Sequence, residues 1–256
     1  MKILRHTGWM VVRQMRNLMR EPIWIALMVI QPLIWLLLYG QLFSRVGALR
    51  GGADSYVQFL APGIICMNAF FGGSWSGMAM ISDLDRHVID RFLAAPVSRF
   101  AIILSQVVRA GLIAMFQALL LLLLGLALGV RVHGGALGWV VVFAASALLA
   151  MAFAGFSHGI ALLVRKEASM IAAANFVGLP LMFLSAILIP ERQMPNWIEQ
   201  LSRFNPVNWG VHAARNAVVV GGEWGPTGGY LLLLVAATAA TSLFATWCFR
   251  AYQRSI

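Results

Sequence analysis

The chain has 256 residues, of which 61% are hydrophobic and only 11% charged, with a mean hydropathy of +0.82. A soluble domain carries roughly 25% charged residues to solvate its surface, so soluble enzyme and nucleic-acid-binding readings are excluded and a membrane protein is indicated. The net charge of +10 sits mostly at the ends of apolar segments, where basic residues act as topology signals rather than as a polyanion site. Cys66 and Cys248 both lie in apolar runs, which supports buried thiols rather than a disulfide framework or a paired metal motif.

Residues 1–22 read as an amphipathic interfacial helix. Leu4, Val11, Met15, Leu18 and Met19 share one helical face, Arg5, Arg13, Arg16 and Arg20 the other, and Pro22 ends the pattern. The arginines suit anionic lipid headgroups while the apolar face enters the acyl boundary. A plain anchor and a helix that also touches a cytoplasmic partner both remain open. The basic stretch is too long and amphipathic for a cleavable signal, so the N-terminus is expected to be retained.

Residues 23–256 read as one all-α, six-span domain. Apolar runs of membrane-crossing length fall near 23–43, 57–80, 100–130, 137–164, 168–189 and 229–249. Both termini then share a side. Twelve Lys and Arg lie on that side, from Lys2 through Arg86, Arg91, Arg165 and Lys166 to Arg254, against six in the opposite loops. The positive-inside rule therefore puts both termini in the cytoplasm of a cell inner (plasma) membrane. The stretch 190–228, with Pro190, Pro195, Pro206, Trp197, Trp209 and Trp224, is the sizeable external segment, and its mix of turn residues and aromatics predicts short helices at or dipping into the outer interface.

The loop between the second and third spans predicts a short cytoplasmic helix over 82–96. Ser82 and Asp85 resemble a capping box, and Pro96 closes the segment. Leu84, Val88 and Phe92 form an apolar ridge flanked by Asp83, Asp85, Arg86, Asp90 and Arg91, a pattern suited to docking into a groove on another protein, although packing on its own bundle gives the same pattern.

Inside the spans, Gln106, Arg109 and Gln117 fall on a similar side of the third helix. A mid-membrane arginine costs about 2.5–3.5 kcal/mol on insertion scales, so Arg109 either faces a polar interior or snorkels to the inner headgroups. Gly73-x-x-x-Gly77, Gly125-x-x-x-Gly129 and Gly155-x-x-x-Gly159 permit close helix approach without saying which face does so. Gly155-Phe156-Ser157-His158-Gly159 matches a nucleophile-elbow string, but that motif works on a strand-to-helix turn and here it lies within a span. No metal-ligand spacing links the five histidines.

An arginine-rich amphipathic N-terminal helix is followed by Glu21-Pro22, Phe59-Leu60-Ala61-Pro62-Gly63 and a charged helix ending Phe92-Leu93-Ala94-Ala95-Pro96-Val97-Ser98-Arg99. Further on come Leu179-Pro180-Leu181-Met182-Phe183-Leu184-Ser185, Pro190, Met194-Pro195 and Asn205-Pro206. In order and spacing this resembles the membrane subunit of type-2 ATP-binding-cassette (ABC-2) exporters over nearly the whole chain. One departure is Ala186 where the family often has glycine. The resemblance implies a permease that pairs with a second copy or a paralogous permease and binds two ABC ATPase subunits, with 82–96 as the coupling helix and re-entrant external helices between spans five and six. It also implies a pathway lined mainly by spans two and five. On those spans, Asn68 and Asn175 are the polar candidates for it, with Phe70, Phe71, Phe176, Met182 and Phe183 as an adaptable apolar wall for an amphipathic drug, lipid or lipid-linked glycan; interhelical packing is the competing role for each.

No G-x-x-x-x-G-K-[S/T] string occurs in the chain, so phosphate cradling by that route is absent. ATP and Mg are then expected on the partner ATPase, with no cofactor, metal or catalytic residue on this chain. Two rival readings are an intramembrane hydrolase using Ser157, His158 or His212, and a non-transporting membrane scaffold.

Overall fold

A computed structural model describes residues 22–86 and 99–253, which form helices joined by turns, with no strand among the described residues. The predicted interfacial residues Arg5, Arg13, Arg16 and Arg20, and Val88, Asp90, Arg91 and Phe92 of the predicted docking ridge, lie outside the described residues.

Each of the six apolar runs coincides with a helix: α1 Pro22–Leu42, α2 Tyr56–Trp75 continuing into α3 Gly77–Asp85, α4 Arg99–Ala127, α5 Gly135–Val164, α6 Glu167–Phe183 and, after the short helices α7 Asn196–Ser202 and α8 Pro206–Arg215, α9 Trp224–Gln253. Four helical stretches are long and apolar enough to cross a membrane: Tyr56–Asp85, Phe100–Ala127, Gly135–Val164 and Trp224–Tyr252. Ile30–Leu42 and Glu167–Phe183 are shorter.

Three expectations are corrected. Ser82 does not open a helix; Ser82–Asp85 form the last turn of α3, whose end is marked by Arg86 N–H donating to the Ser82 carbonyl at 3.2 Å. The fifth apolar run, read to 189, ends as a helix at Phe183 because Leu184 closes it with a bond to the Pro180 carbonyl and a turn follows. The last helix starts at Trp224, so the connecting segment runs over 184–223 rather than 190–228.

Two apolar cores hold the bundle. One, around Phe59, Leu60, Ile64, Phe70, Leu149 and Val211, joins α2, α5 and α8. The other, around Met80, Ile81, Ile103, Leu162, Cys248 and Phe249, ties α3 to the start of α4 and the ends of α5 and α9. Between these cores the contact of α2, α4 and α5 rests on three alanines, Ala69, Ala114 and Ala150. Small side chains there leave room.

Close helix approach explains two of the three glycine pairs. A Cβ on Gly73 would collide with the Ala150 carbonyl, and one on Gly77 would stand 2.6 Å from Ser157 O. Gly155 and Gly159 press against Thr241 and Phe244 of α9 in the same way. Both pairs therefore serve packing within the chain.

The break between α2 and α3 at Ser76 frees backbone groups inside the bundle, and these require partners because lipid supplies none. Ser157 of α5 provides them: its hydroxyl donates to the Ser74 carbonyl at 2.6 Å and accepts from Gly77 N–H at 2.9 Å. Ser157→Ala is expected to lower stability by about 1 kcal/mol, and Gly73→Leu, which drives a side chain into the α5 backbone, by about 1–3 kcal/mol. Thermal unfolding in detergent, followed by circular dichroism, measures both.

Candidate functional site

Between the two cores lies a cavity of about 850 Å³, within the 300–1,000 Å³ usual for small-molecule sites. Its walls come from six helices, α3 contributing Ala79. From α1 come Gln31, Pro32 and Trp35; from α2 and the break after it, Met67, Asn68, Phe71, Gly72, Trp75 and Ser76. The α4 helix contributes Gln106, Arg109, Ile113 and Gln117, α5 contributes Ala150 and His158, and α6 contributes Leu179, Met182 and Phe183. Phe183, 67% exposed, and the exposed Leu179 and Trp75 mark where the cavity meets the bundle surface.

Of the polar residues on the third span, Gln106, Arg109 and Gln117 all line the cavity. Of the predicted wall, Asn68, Phe71, Met182 and Phe183 are in place. Phe70 is not; it is fully buried in the core, edge-on to Phe153 at 4.5 Å between ring centroids. Asn175 is not among the cavity residues, and Phe176 is 83% exposed on the outer face of α6. The cavity also draws on α1, α4 and α5, which the resemblance did not place around it.

The polar groups have unusual bonding. Among the described residues, the buried side-chain nitrogens without a hydrogen-bond partner are Asn68 Nδ2, Arg109 Nε and both ring nitrogens of His158, and all three residues line this one cavity. Buried polar atoms are almost always bonded. Orphans gathered in one void can be satisfied there by water or by a polar guest. In the sequence His158 figured only in the Gly155–Gly159 string and the hydrolase reading; its place in the same cavity as Arg109 is visible only in three dimensions.

The same bonding disposes of the hydrolase reading at Ser157. Ser157 is fixed between Ser74 and Gly77 and His158 has no bond to it, so nucleophile and base are not paired as that chemistry requires. His212 is committed elsewhere.

Of the docking residues that are described, Asp85 and Arg86 are exposed at the end of α3, while Leu84 packs against the second core. Asp83 turns inward and accepts from Gln106 Nε2 at 3.4 Å. The end of α3 is thus linked directly to the cavity wall.

A second polar assembly, missed in the sequence, seats α8. The α8 helix inserts beside α2 and α5, where a Cβ on Gly210 would lie 3.1 Å from Leu149 Cδ2 and 3.7 Å from Cys66 Sγ. Asn205 Nδ2 donates to the carbonyls of Leu181 and Leu184 at the end of α6, at 2.7 and 2.9 Å. Asn208 accepts from Ala186 N–H at 2.9 Å and donates to Glu191 Oε1 at 2.8 Å, and His212 Nε2 donates to the same carboxylate oxygen at 2.7 Å. Arg215 donates to the carbonyls of Ala186, Ile187 and Phe59 at 2.7, 3.3 and 3.4 Å, with its guanidinium 3.7 Å from the Phe59 ring centroid.

The hydrogen bond from His212, followed by that from Asn208, holds the Glu191 carboxyl at about 2, down from 4.5, even though burial opposes ionisation. Because the folded value is depressed, the ionised carboxylate stabilises the fold fully above pH 4.5, and that contribution is lost as pH falls towards 2. Glu191→Gln should therefore flatten the acid limb of the stability profile over this range while lowering stability at neutral pH by about 1–3 kcal/mol. Thermal melts of both proteins across pH 2–7 test this window, which follows from the depressed value.

Comparison with known proteins bears on what such a cavity does. Residues 5–219 match the family of ABC-2 type transporters. A Cyanophora paradoxa protein named as a transport permease, ycf38, is 32% identical over 208 residues, covering 80% of this chain and 71% of the relative. The daunorubicin resistance ABC transporter permease protein DrrB1 of Streptomyces coeruleorubidus is 27% identical over 246 residues, or 94% and 83% of the two chains.

Proposed function

The chain belongs to the ABC-2 type transporter family, and on that premise we propose that it is the membrane subunit of an ATP-driven exporter whose substrate passes through the cavity between α1, α2, α4, α5 and α6. The observation that carries this reading is the position of the α2–α3 break. Trp75 and Ser76 at the break line the cavity, and the docking segment lies at the far end of α3.

In this reading the segment that follows α3, up to residue 96, carries the coupling helix, seated on one of two ABC ATPase subunits that bind ATP and Mg²⁺. Asp85, Arg86, Asp90 and Arg91 orient the contact, and Val88 and Phe92 anchor it. Closure of the ATPase pair on ATP displaces α3. The Ser157 bridge and the bond between Asp83 and Gln106 pass that displacement to the cavity wall, where it shifts the balance between inward-open and outward-open states. Such a shift requires that nucleotide binds the two states unequally.

Six spans with both termini cytoplasmic, in the inner (plasma) membrane, fit the charge distribution. The 1–22 helix then lies on the cytoplasmic leaflet and α7 and α8 re-enter from outside. The exposed apolar face of α6, with Ile171, Phe176, Leu179 and Phe183, supports pairing with a second permease or contact with lipid. A relative named for daunorubicin resistance supports a drug-sized cargo, and the apolar, Met-containing wall suits an amphipathic drug, lipid or lipid-linked glycan.

Two variants separate docking from passage. Phe92→Asp should reduce co-purification of the ATPase subunit at least about tenfold, as expected for a lost interface anchor. Gly72→Leu places a side chain in open cavity space, the nearest atom to its Cβ being Gln117 Oε1 at 4.0 Å; it should leave the ATPase bound while transport into inverted vesicles is lost. Full transport by Gly72→Leu would remove the cavity from the pathway.

A further inference from the structure

The cavity has a chemical polarity that narrows what it accepts. Among the described residues that line it, Arg109 alone carries a fixed charge and no carboxylate is present; Asp83 stands behind the wall, bonded to Gln106 and within electrostatic reach of Arg109. Its unpartnered atoms are chiefly donors. Asn68 Nδ2 and Arg109 Nε can only donate, and a neutral His158 adds one donor and one acceptor. A guest that satisfies this set brings oxygen acceptors and negative charge, because leaving buried donors unpaired is costly whereas pairing them with an anion gives the stronger, charge-assisted bonds.

Arg109 and His158 stand at one end of the cavity, whereas Asn68, between Met67 and Phe71 on α2, stands further along it with the apolar lining. His158 is near the α3 end of α5, and Gln106 and Arg109 are in the first half of α4, whereas Gln117, eight residues beyond Arg109, lies roughly 12 Å further along the helix axis. Around and beyond it stand Trp35, Met67, Phe71, Met182 and Phe183, with the exposed Phe183 and Leu179 at the surface. Small residues, Ala69, Ala110, Ala114 and Ala150, keep the intervening space open.

We propose that this cavity binds amphiphiles with an oxyanion head, a phosphate or carboxylate, seated on Arg109 with His158 while the apolar tail runs past Phe71 and Met182 towards Phe183. This deepens the exporter reading and rests on the cavity being the substrate chamber. It assigns Arg109 a binding role. A cationic amphiphile meets the same apolar wall but sets its charge against the guanidinium, so head-group sign discriminates between cargoes.

The test uses the permease with its ATPase subunits in nanodiscs of zwitterionic lipid, with empty nanodiscs as the blank. Isothermal titration compares decyl phosphate, decyltrimethylammonium and inorganic phosphate on the unaltered protein and on the Arg109→Gln, Arg109→Lys and Gly72→Leu variants. Decyl phosphate is expected to bind at least about tenfold more tightly than decyltrimethylammonium, in line with the strength of hydrogen bonds to charged groups. Arg109→Gln should erase that preference, Arg109→Lys should keep most of it, and Gly72→Leu should abolish binding of both amphiphiles.

Equal affinities, or a preference that survives Arg109→Gln, would overturn the head-group assignment, and loss of binding in Gly72→Leu would then leave the chamber itself standing. Unchanged binding of both amphiphiles to Gly72→Leu would overturn the chamber and the assignment together. Inorganic phosphate binding as tightly as decyl phosphate would also contradict the proposal, since the ligand would then be a free anion with no use for the apolar wall.

Discussion

A buried guanidinium sets the geometry of one end of this molecule. Arg215 reaches from the end of α8 to the carbonyls of Ala186, Ile187 and Phe59, groups that belong to a turn and a helix with no other reason to meet. A helix that ends inside a bundle leaves carbonyls needing donors, and hydrocarbon offers none. Arg215 and Asn205 supply those donors, so α6 can stop at Phe183 and the chain can turn back against α2. The close seating of Gly63, where a Cβ would stand 2.5 Å from Ile187 O, is the steric counterpart. Where α6 ends determines where Leu179, Met182 and Phe183 stand. The outer wall of the cavity therefore depends on a clamp that never touches it.

The other end obeys the same constraint by a different device. The α2–α3 break exposes backbone groups that Ser157 satisfies from α5, which lets a helix bend within the bundle without orphaned polar groups. Between these two ends the fold relaxes the rule: Asn68, Arg109 and His158 keep unpartnered nitrogens around one void. A chain that satisfies its break and its α6 terminus this fully, yet leaves donors open in a single cavity, has concentrated its polar cost where a passenger can relieve it. That contrast joins architecture to transport.

Much of the fold was legible in the sequence because a run of about 20 apolar residues in a membrane admits one structure, a helix. The polar stripe Gln106, Arg109 and Gln117 was legible too, since polar residues on an apolar helix have a readable side. The facing of Phe70 and Phe176 was not. Both lie on helices that are apolar nearly all round, so periodicity cannot tell the core side, where Phe70 sits against Phe153, from the outer side, where Phe176 is exposed. Ser82 resembled a helix start because a serine with an acid three residues on is the same string at either end of a helix. The assembly of Asn205, Asn208, His212 and Arg215 with Glu191 and the α6 carbonyls spans more than thirty residues of chain, so no local pattern announces it, and none marks His158 as a cavity residue because its neighbours there come from other helices.

The most direct test of the account is whether the cavity changes its side of access with the nucleotide cycle. A single cysteine at Met182, in a background with Cys66 and Cys248 replaced by alanine, would be challenged with a membrane-impermeant thiol reagent in inside-out and right-side-out vesicles, with the ATPase subunits present. The account predicts labelling from the cytoplasmic side without nucleotide and a shift to labelling from the outside when the ATPase is trapped with ATP and vanadate. Labelling from the same side, at the same rate, in both states would contradict it.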